Sequence, residues 1–200
     1  MVADQYQHQE PILSERIGME PNKSRHDRVA EWMADSGLDA LVASGADLVN
    51  WLSGYSRYYG GLSAVVIGRD GERILVVPRD EVAIAERSSD TGRVTGYGER
   101  GFGLELNPAP LLLTAVGELG VVSSAQRIGV AGESVAGFAP PGTVVAADDA
   151  LHRLSLVKDL DELTKIYHSY ELCWLAQAAV ADGVAAGAAE IGRASCRERV

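Results

Sequence analysis

Hydrophobic residues recur along this chain in short runs that alternate between helical and strand spacing. The apolar positions up to Gly37 fall on one face of a helix, with Asn22 or Ser24 as the candidate N-cap. The next apolar run, residues 38–43, has the length of a strand, and residues 46–52 return to a short helix. The opening pattern therefore predicts helix, strand, helix.

A β-hairpin is the strongest local signal in the sequence. Residues 62–67 and 74–77 are rich in β-branched side chains and lie on either side of Asp70-Gly71, a dipeptide typical of tight turns between strands. Pro78 ends the hairpin, and helical spacing resumes over residues 79–87.

The second half of the chain repeats this alternation and then changes. A helix is predicted from Pro108 to an end at Gly120, and short strands are predicted over residues 127–131 and 143–147. One long helix then runs over residues 159–182, with Gly183 at its end. An antiparallel hairpin among alternating helices and strands favours an α/β fold, with a mixed β-sheet flanked by helices and followed by a single long helix.

These patterns divide the chain into four segments. Residues 1–21 form a polar N-terminal arm, residues 22–156 the α/β domain, and residues 157–190 the first helix of another domain. Residues 191–200, IGRASCRERV, resemble the in-frame translation of a sequencing-adapter oligonucleotide and are expected to be a non-native tail.

Charge and composition narrow the class of protein. The net charge of −10 and the pI of about 4.8 argue against a nucleic-acid partner, because such proteins cluster Lys and Arg to neutralise phosphates. The N-terminus does not read as a secretory signal, and the apolar stretch over residues 175–189 is too short to cross a bilayer. A cytoplasmic protein that does not bind a membrane is expected.

Motifs that would hold a metal or a phosphate are weak. The four histidines have no spacing that places two ligands on one face, and Cys173 and Cys196 cannot form a four-ligand zinc site by themselves. Gly96 to Gly101 match G-x-G-x-x-G, but no helix signal follows the third glycine, so a loop is predicted. The acidic residues Asp148-Asp149 and those at 159–162 are predicted to cap the helices that they precede.

The connecting segment from Tyr55 to Gly61 is the best candidate for a binding surface, because its aromatic residues, its arginine and its glycines suit a loop that lines a site. The alternative is a helix-to-strand connection whose tyrosines pack into the core. The candidate substrate-binding residues are Tyr55, Arg57, Tyr58 and Tyr59.

Three ordered segments resemble the creatinase/prolidase family. Gly37 to Val42 followed by Asn50 to Tyr55 resembles the "GLDALLV … N-[IV]-x-Y-L-[ST]-G-[FY]" signature of its amino-terminal domain, and residues 73–86 resemble the middle of that domain. Leu154 to Leu163 resembles the junction that opens the pita-bread catalytic domain, although Ser155 stands where the family usually has Arg.

The resemblance implies that the intact protein is an Xaa-Pro aminopeptidase or dipeptidase, a metallopeptidase that uses two divalent metal ions of the Mn or Co type. The family's ligand set, an Asp, Asp, His, Glu, Glu series, would lie beyond residue 190. No catalytic or metal-binding residue is therefore assigned here, no cofactor is expected in this chain, and the chain itself is expected to be an inactive fragment.

The family also implies a homodimer in the intact protein, a peptide or small-molecule substrate, and a wall of the cleft formed by this domain. Two other functions stay open: a creatinase-type C–N hydrolase that works without metal, and a non-catalytic binding or oligomerisation module.

Overall fold

The computed structural model describes residues 23–56, 61–99 and 108–185. The chain divides into two compact units, of which Lys23–Val157 is one and the segment from Lys158 belongs to the other. The domain boundary near residue 156 stays a prediction, and so do the N-terminal arm and the tail, which lie outside the described residues.

The first unit alternates helices and strands. In chain order its elements are α1 (Arg25–Asp35), β1 (Ala40–Ser44), α2 (Ala46–Ser53), β2 (Ala64–Gly68), β3 (Arg73–Pro78), a 3₁₀ turn (Arg79–Glu81), α3 (Val82–Ser88), β4 (Arg93–Tyr97), α4 (Pro108–Gly117), α5 (Gly120–Ser123), β5 (Arg127–Ala131), a second 3₁₀ turn (Glu133–Val135), β6 (Thr143–Ala146) and α6 (Asp148–Leu156).

The strands form one six-stranded mixed sheet in the order β4-β3-β2-β1-β5-β6. β2 pairs antiparallel with both β1 and β3, whereas the β3–β4, β1–β5 and β5–β6 pairs are parallel. The mixed sheet flanked by helices that the sequence predicts is thus confirmed.

Helices cover both faces of the sheet, and this explains why β1 and β2 are buried along their whole length. Leu41 and Ala43 of β1 belong to the core cluster under α1, α2, α3 and α6, whereas Ala40 and Val42 belong to the cluster under α4 and α5. The period of two in the strand therefore supplies both cores.

Local sequence signals set most of the boundaries. The Ser24 hydroxyl accepts a hydrogen bond from the Asp27 amide at the start of α1, and Gly37, Gly54 and Gly71 all have positive φ, at 64°, 69° and 84°. These residues close helices or turn the hairpin in the left-handed conformation that only glycine adopts freely.

The structure departs from the predicted elements in three places. β4 was not predicted. Gly120 begins the short helix α5 instead of ending α4, which stops at Gly117. Gly183 lies inside the long helix, so it does not end that helix.

The second unit contains the long helix α7 (Leu160–Ala185). Asp159 precedes it, and its carboxylate accepts from the Glu162 amide while the Glu162 carboxylate accepts from the Asp159 amide, both at 2.9 Å. This reciprocal capping box confirms the predicted capping role for Asp159 and Glu162, whereas the Asp161 carboxylate lies 2.7 Å from Lys165. No helix among the described residues is long and apolar enough to cross a membrane.

Candidate functional site

The strand directions bring the loops that follow five of the six strands to one edge of the sheet. β1, β3, β4, β5 and β6 all run the same way, so their carboxyl ends meet at the edge where β2 begins. We call this the carboxyl edge. In the sheet, β2 lies on one side of the adjacent β1–β5 pair and β6 lies on the other side. Such a reversal of strand order between adjacent parallel strands is where α/β sheets commonly bind ligands.

Two glycines with matching backbone conformations follow β1 and β5 at this reversal. Gly45 has φ 96° and ψ 146°, and Gly132 has φ 94° and ψ 147°. This region of conformational space is essentially restricted to glycine. At Gly132 the backbone also approaches Ser44 so closely that a Cβ would collide with the Ser44 carbonyl, whereas a Cβ at Gly45 would meet nothing within 4 Å.

Two buried serine hydroxyls lie at the carboxyl edge without a hydrogen-bond partner among the described residues. Ser44 is the last residue of β1 and Ser63 directly precedes β2, and both are almost fully buried. Buried polar groups are nearly always paired, so these two hydroxyls are exceptions to the usual pattern.

A third buried polar group at this edge is a carboxylate. Glu81, at the end of the 3₁₀ turn after β3, is only 2% exposed, and the hydroxyl of Tyr55 donates a hydrogen bond to it. Tyr55 is itself fully buried. A buried carboxylate is costly unless it is hydrogen-bonded, so the pair fixes both residues against each other.

The structure therefore places Tyr55 in the core, which is the role that the sequence left open as an alternative to substrate binding. The other three candidate substrate-binding residues, Arg57, Tyr58 and Tyr59, lie outside the described residues. Their neighbours Ser56 and Gly61 lead from α2 toward β2 and the carboxyl edge. Binding by Arg57, Tyr58 and Tyr59 stays a prediction.

The G-x-G-x-x-G match does not form a phosphate-binding turn in the described residues. Gly96 lies within β4, and Gly101 falls outside the described residues. A Cβ at Gly96 would come within 3.0 Å of the Arg79 Cα, so this glycine allows the 3₁₀ turn to pack closely against the strand.

The opposite edge, where β3 and β4 begin, carries a cluster of paired charges around Asp90. The Asp90 carboxylate accepts hydrogen bonds from Arg25 at 2.6 Å and from Arg73 at 2.9 Å, and His26 Nε2 lies 3.3 Å from it. Partial burial opposes ionisation of Asp90, but the hydrogen bond with His26 and the charges of Arg73 and Arg25 outweigh it and lower the pKa to about 2.

A second charge cluster at this amino edge joins β1 to the hairpin and to β5. The Asp39 carboxylate accepts from the backbone amides of Arg127 and Gln126 at 2.9 and 3.0 Å, and Arg69 lies 3.0 Å from its other oxygen. The hydrogen bond from the Arg127 amide, then that from Gln126, lowers the pKa of Asp39 below its usual value.

The acidic residues Asp148 and Asp149 lie in the first turn of α6, and the structure shows no capping bond from Asp148. Ala147 is the N-cap and has no side-chain capping bond, so Asp148 does not cap the helix. The Asp148 carboxylate instead accepts from the Gly132 amide at 2.8 Å, which ties α6 to the turn after β5.

The residues described here do not form a metal centre. In residues 23–56, 61–99 and 108–185, no three His, Cys, Asp or Glu side chains are grouped to hold an ion. The two divalent ions that the resemblance implies for the longer protein therefore do not fit the described residues, and no ligand is assigned.

Comparison with known proteins identifies this architecture. The family model for the creatinase/prolidase N-terminal domain matches residues 25–164. The prolidase from Pyrococcus horikoshii OT3 is similar with a TM-score of 0.51 at 16% identity, over 70% of this chain and 37% of that one. The prolidase from Pyrococcus furiosus gives 0.50 at 16% identity, over 69% and 40% of the two chains.

An isolated domain gives the same result. The creatinase/prolidase N-terminal domain of an X-Pro dipeptidase from Streptococcus pyogenes is similar with a TM-score of 0.50 at 16% identity, over 64% of this chain and 97% of that one. A search of curated proteins finds no significant match. At these identities the structural matches establish the fold alone.

Proposed function

The chain belongs to the creatinase/prolidase N-terminal domain family, and from this membership we propose that it is the substrate-side domain of an Xaa-Pro dipeptidase or aminopeptidase. In this proposal the domain forms part of the cleft wall and carries no catalytic residue. The reaction would be performed by a following metallopeptidase domain that supplies the two divalent ions, with a peptide as the substrate, in a cytoplasmic homodimer.

The family match is the observation that carries the proposal. It extends over nearly all of the α/β unit and into the first turn of α7, so it includes both the sheet and the entry to the next helix. The three structures compared above are two prolidases and a domain of an X-Pro dipeptidase, and this supports peptides with proline in the second position as the substrate class.

The surface of α7 supports the presence of a further domain. Large apolar side chains along this helix are strongly exposed, among them Tyr170 at 73%, Trp174 at 63% and Leu172 at 56%. They do not lie on a single stripe, and a helix that is apolar on several faces is typically surrounded by protein.

The test compares this chain with an extended protein, expressed from a reading frame that continues past the codon for Glu190. Incubated with Mn²⁺ or Co²⁺ and an Xaa-Pro dipeptide, the present chain should release no proline above a metal-only blank. The extended protein should release proline, and a chelator should abolish the release. Turnover by the present chain, or none by an extended protein that is folded and metal-loaded, would contradict the proposal.

A further inference from the structure

We propose that Arg28 is a positioning residue that fixes the point where the chain leaves the α/β unit. Its guanidinium holds the carbonyl of Val157, which is the last residue of this unit, and so sets the direction in which the chain continues. The proposal rests on the proposed function, because the domain that would follow in the chain belongs to that function. Arg28 is not proposed to touch a substrate or a metal ion.

The packing of α1 against α6 brings Arg28 to this point. Val29 of α1 and Leu151 of α6 are buried in the same core cluster, and the partly buried Arg28 directly precedes Val29. Its guanidinium thereby reaches the end of α6, where the last carbonyls of a helix have no partner within the helix. Nη2 of Arg28 donates to the Val157 carbonyl at 2.7 Å.

The same guanidinium also holds the first residue of the unit. Its Nη1 donates to the Lys23 carbonyl at 2.8 Å, and Lys23 directly precedes Ser24, the N-cap of α1. Because a guanidinium is planar and its donors keep a fixed geometry, two bonds from it constrain direction as well as distance. One side chain therefore ties the first residue of the α/β unit to its last.

The exposure of the last residues explains why this hydrogen bond matters. The side chains of Leu156 and Val157 are 64% and 49% exposed, and Val157 leaves the helical conformation with φ −90° and ψ 117°. Hydrogen bonds from a charged donor are stronger than those between neutral groups. The Val157 carbonyl is thus fixed through Arg28 rather than through burial of the Val157 side chain.

The test measures backbone ¹⁵N relaxation of the present chain by NMR. The amide of Lys158 is the reporter, because it shares a peptide plane with the Val157 carbonyl that Arg28 holds. Arg28→Met keeps the aliphatic stem but removes the donors, so the order parameter of this amide should fall from about 0.85 to below about 0.6. Arg28→Gln, which is shorter and uncharged, should give the same fall. An unchanged order parameter in either folded variant would overturn the proposal.

A matched control separates this local effect from the loss of a charge or of general order. Arg153→Met removes an exposed arginine from the last turn of α6 and should leave the Lys158 order parameter unchanged. The order parameters of the β5 amides should stay unchanged in every variant. If Arg153→Met acts like Arg28→Met, or if the β5 amides loosen together with Lys158, the positioning role is refuted.

Kinetics of the extended protein distinguish this proposal from the proposed function. Arg28→Met should raise KM for an Xaa-Pro dipeptide about threefold or more with kcat unchanged, because a loosened junction weakens the contribution of this domain to binding. Arg153→Met should leave KM unchanged. An unchanged KM for Arg28→Met in an active extended protein would refute the positioning role and leave the hydrolase function standing. Failure of the unsubstituted extended protein to release proline would contradict the proposed function, whereas the relaxation result is independent of it.

Discussion

The two edges of the sheet differ in the polar groups that they carry. At the amino edge, Asp39 and Asp90 each collect several donors, and the chain ties distant segments together through them. At the carboxyl edge, the hydroxyls of Ser44 and Ser63 are buried without a partner in the described part of the chain, and the backbone adopts conformations restricted to glycine.

This difference predicts that the two edges contribute differently to the stability of the domain. Satisfied charge clusters stabilise a fold, whereas orphaned polar groups and strained turns persist where something other than stability is selected. The comparison predicts that substitutions at the amino edge remove stabilising contacts. At the carboxyl edge, the change in the free energy of unfolding should be large where a strained glycine is replaced and small where an unpaired hydroxyl is removed.

The largest effect is expected at Gly132. Gly132→Ala should destabilise the chain by about 4 kcal/mol, because it combines about 1–3 kcal/mol of backbone strain with a collision against the Ser44 carbonyl. Gly45→Ala is the matched control, since its φ and ψ are nearly the same and the space around it is open. Urea unfolding should show that Gly45→Ala costs about 2 kcal/mol less, and equal costs would show that the close approach to Ser44 is unimportant.

The amino edge should lose stability when its central carboxylate is neutralised. Asp90→Asn removes the charge that pairs with the buried Arg25 and with Arg73, and we expect a loss of about 2–3 kcal/mol. This is less than for a fully buried pair, because the Asp90 side chain is 41% exposed. Asp161→Asn, which disrupts an exposed pair with Lys165, serves as the control and should cost below about 0.5 kcal/mol in the same unfolding experiment.

The Asp90 carboxylate should make the free energy of unfolding depend on pH in the acidic range. The folded-state pKa of Asp90 is about 2, below its ordinary value of 3.8, so its contribution is present above pH 3.8 and is lost as the pH falls toward 2. The lowered pKa of Asp39 acts in the same direction. Thermal unfolding between pH 5 and pH 2 should show a smaller decline in Asp90→Asn than in the unsubstituted chain, and parallel curves would remove Asp90 from the explanation.

The smallest effect is expected at the orphaned hydroxyl. Ser44→Ala removes a buried group that makes no described hydrogen bond, so the change should be neutral or stabilising by up to about 1 kcal/mol. Ser53→Ala is the matched control, because the Ser53 hydroxyl donates to the Val49 carbonyl at 2.6 Å and should cost about 1 kcal/mol when lost. A loss at Ser44 as large as that at Ser53 would show that Ser44 is satisfied in solution.

Local signals predicted the elements that depend on neighbouring residues. The Asp70-Gly71 turn, the Gly37 and Gly54 helix ends and the capping of the long helix by acidic residues were all readable from the sequence, because each is formed within a few positions. The family resemblance was readable for the same reason, and the family match confirms it.

What the sequence could not show depends on contacts between distant residues. β4 contains Gly96 and alternates weakly, so only its pairing with β3 identifies it as a strand. The Asp90 cluster joins residues separated by 17 to 65 positions, and the Tyr55–Glu81 bond spans 26. Composition and periodicity carry no information about such pairs, so the sequence offered a core role for the tyrosines of this connection but could not name Glu81 as the partner of Tyr55.

The pairing of β1 with two different strands sets an order for folding. Its pairing with β2 closes through a short connection, whereas its pairing with β5 waits for a segment that lies far along the chain, as the 88-residue separation of Asp39 and Arg127 shows. Local contacts close faster than distant ones. On a ribosome, the β1–β4 half is therefore expected to form with β1 as an open edge, and β5 would later cover that edge and protect it from pairing with another chain.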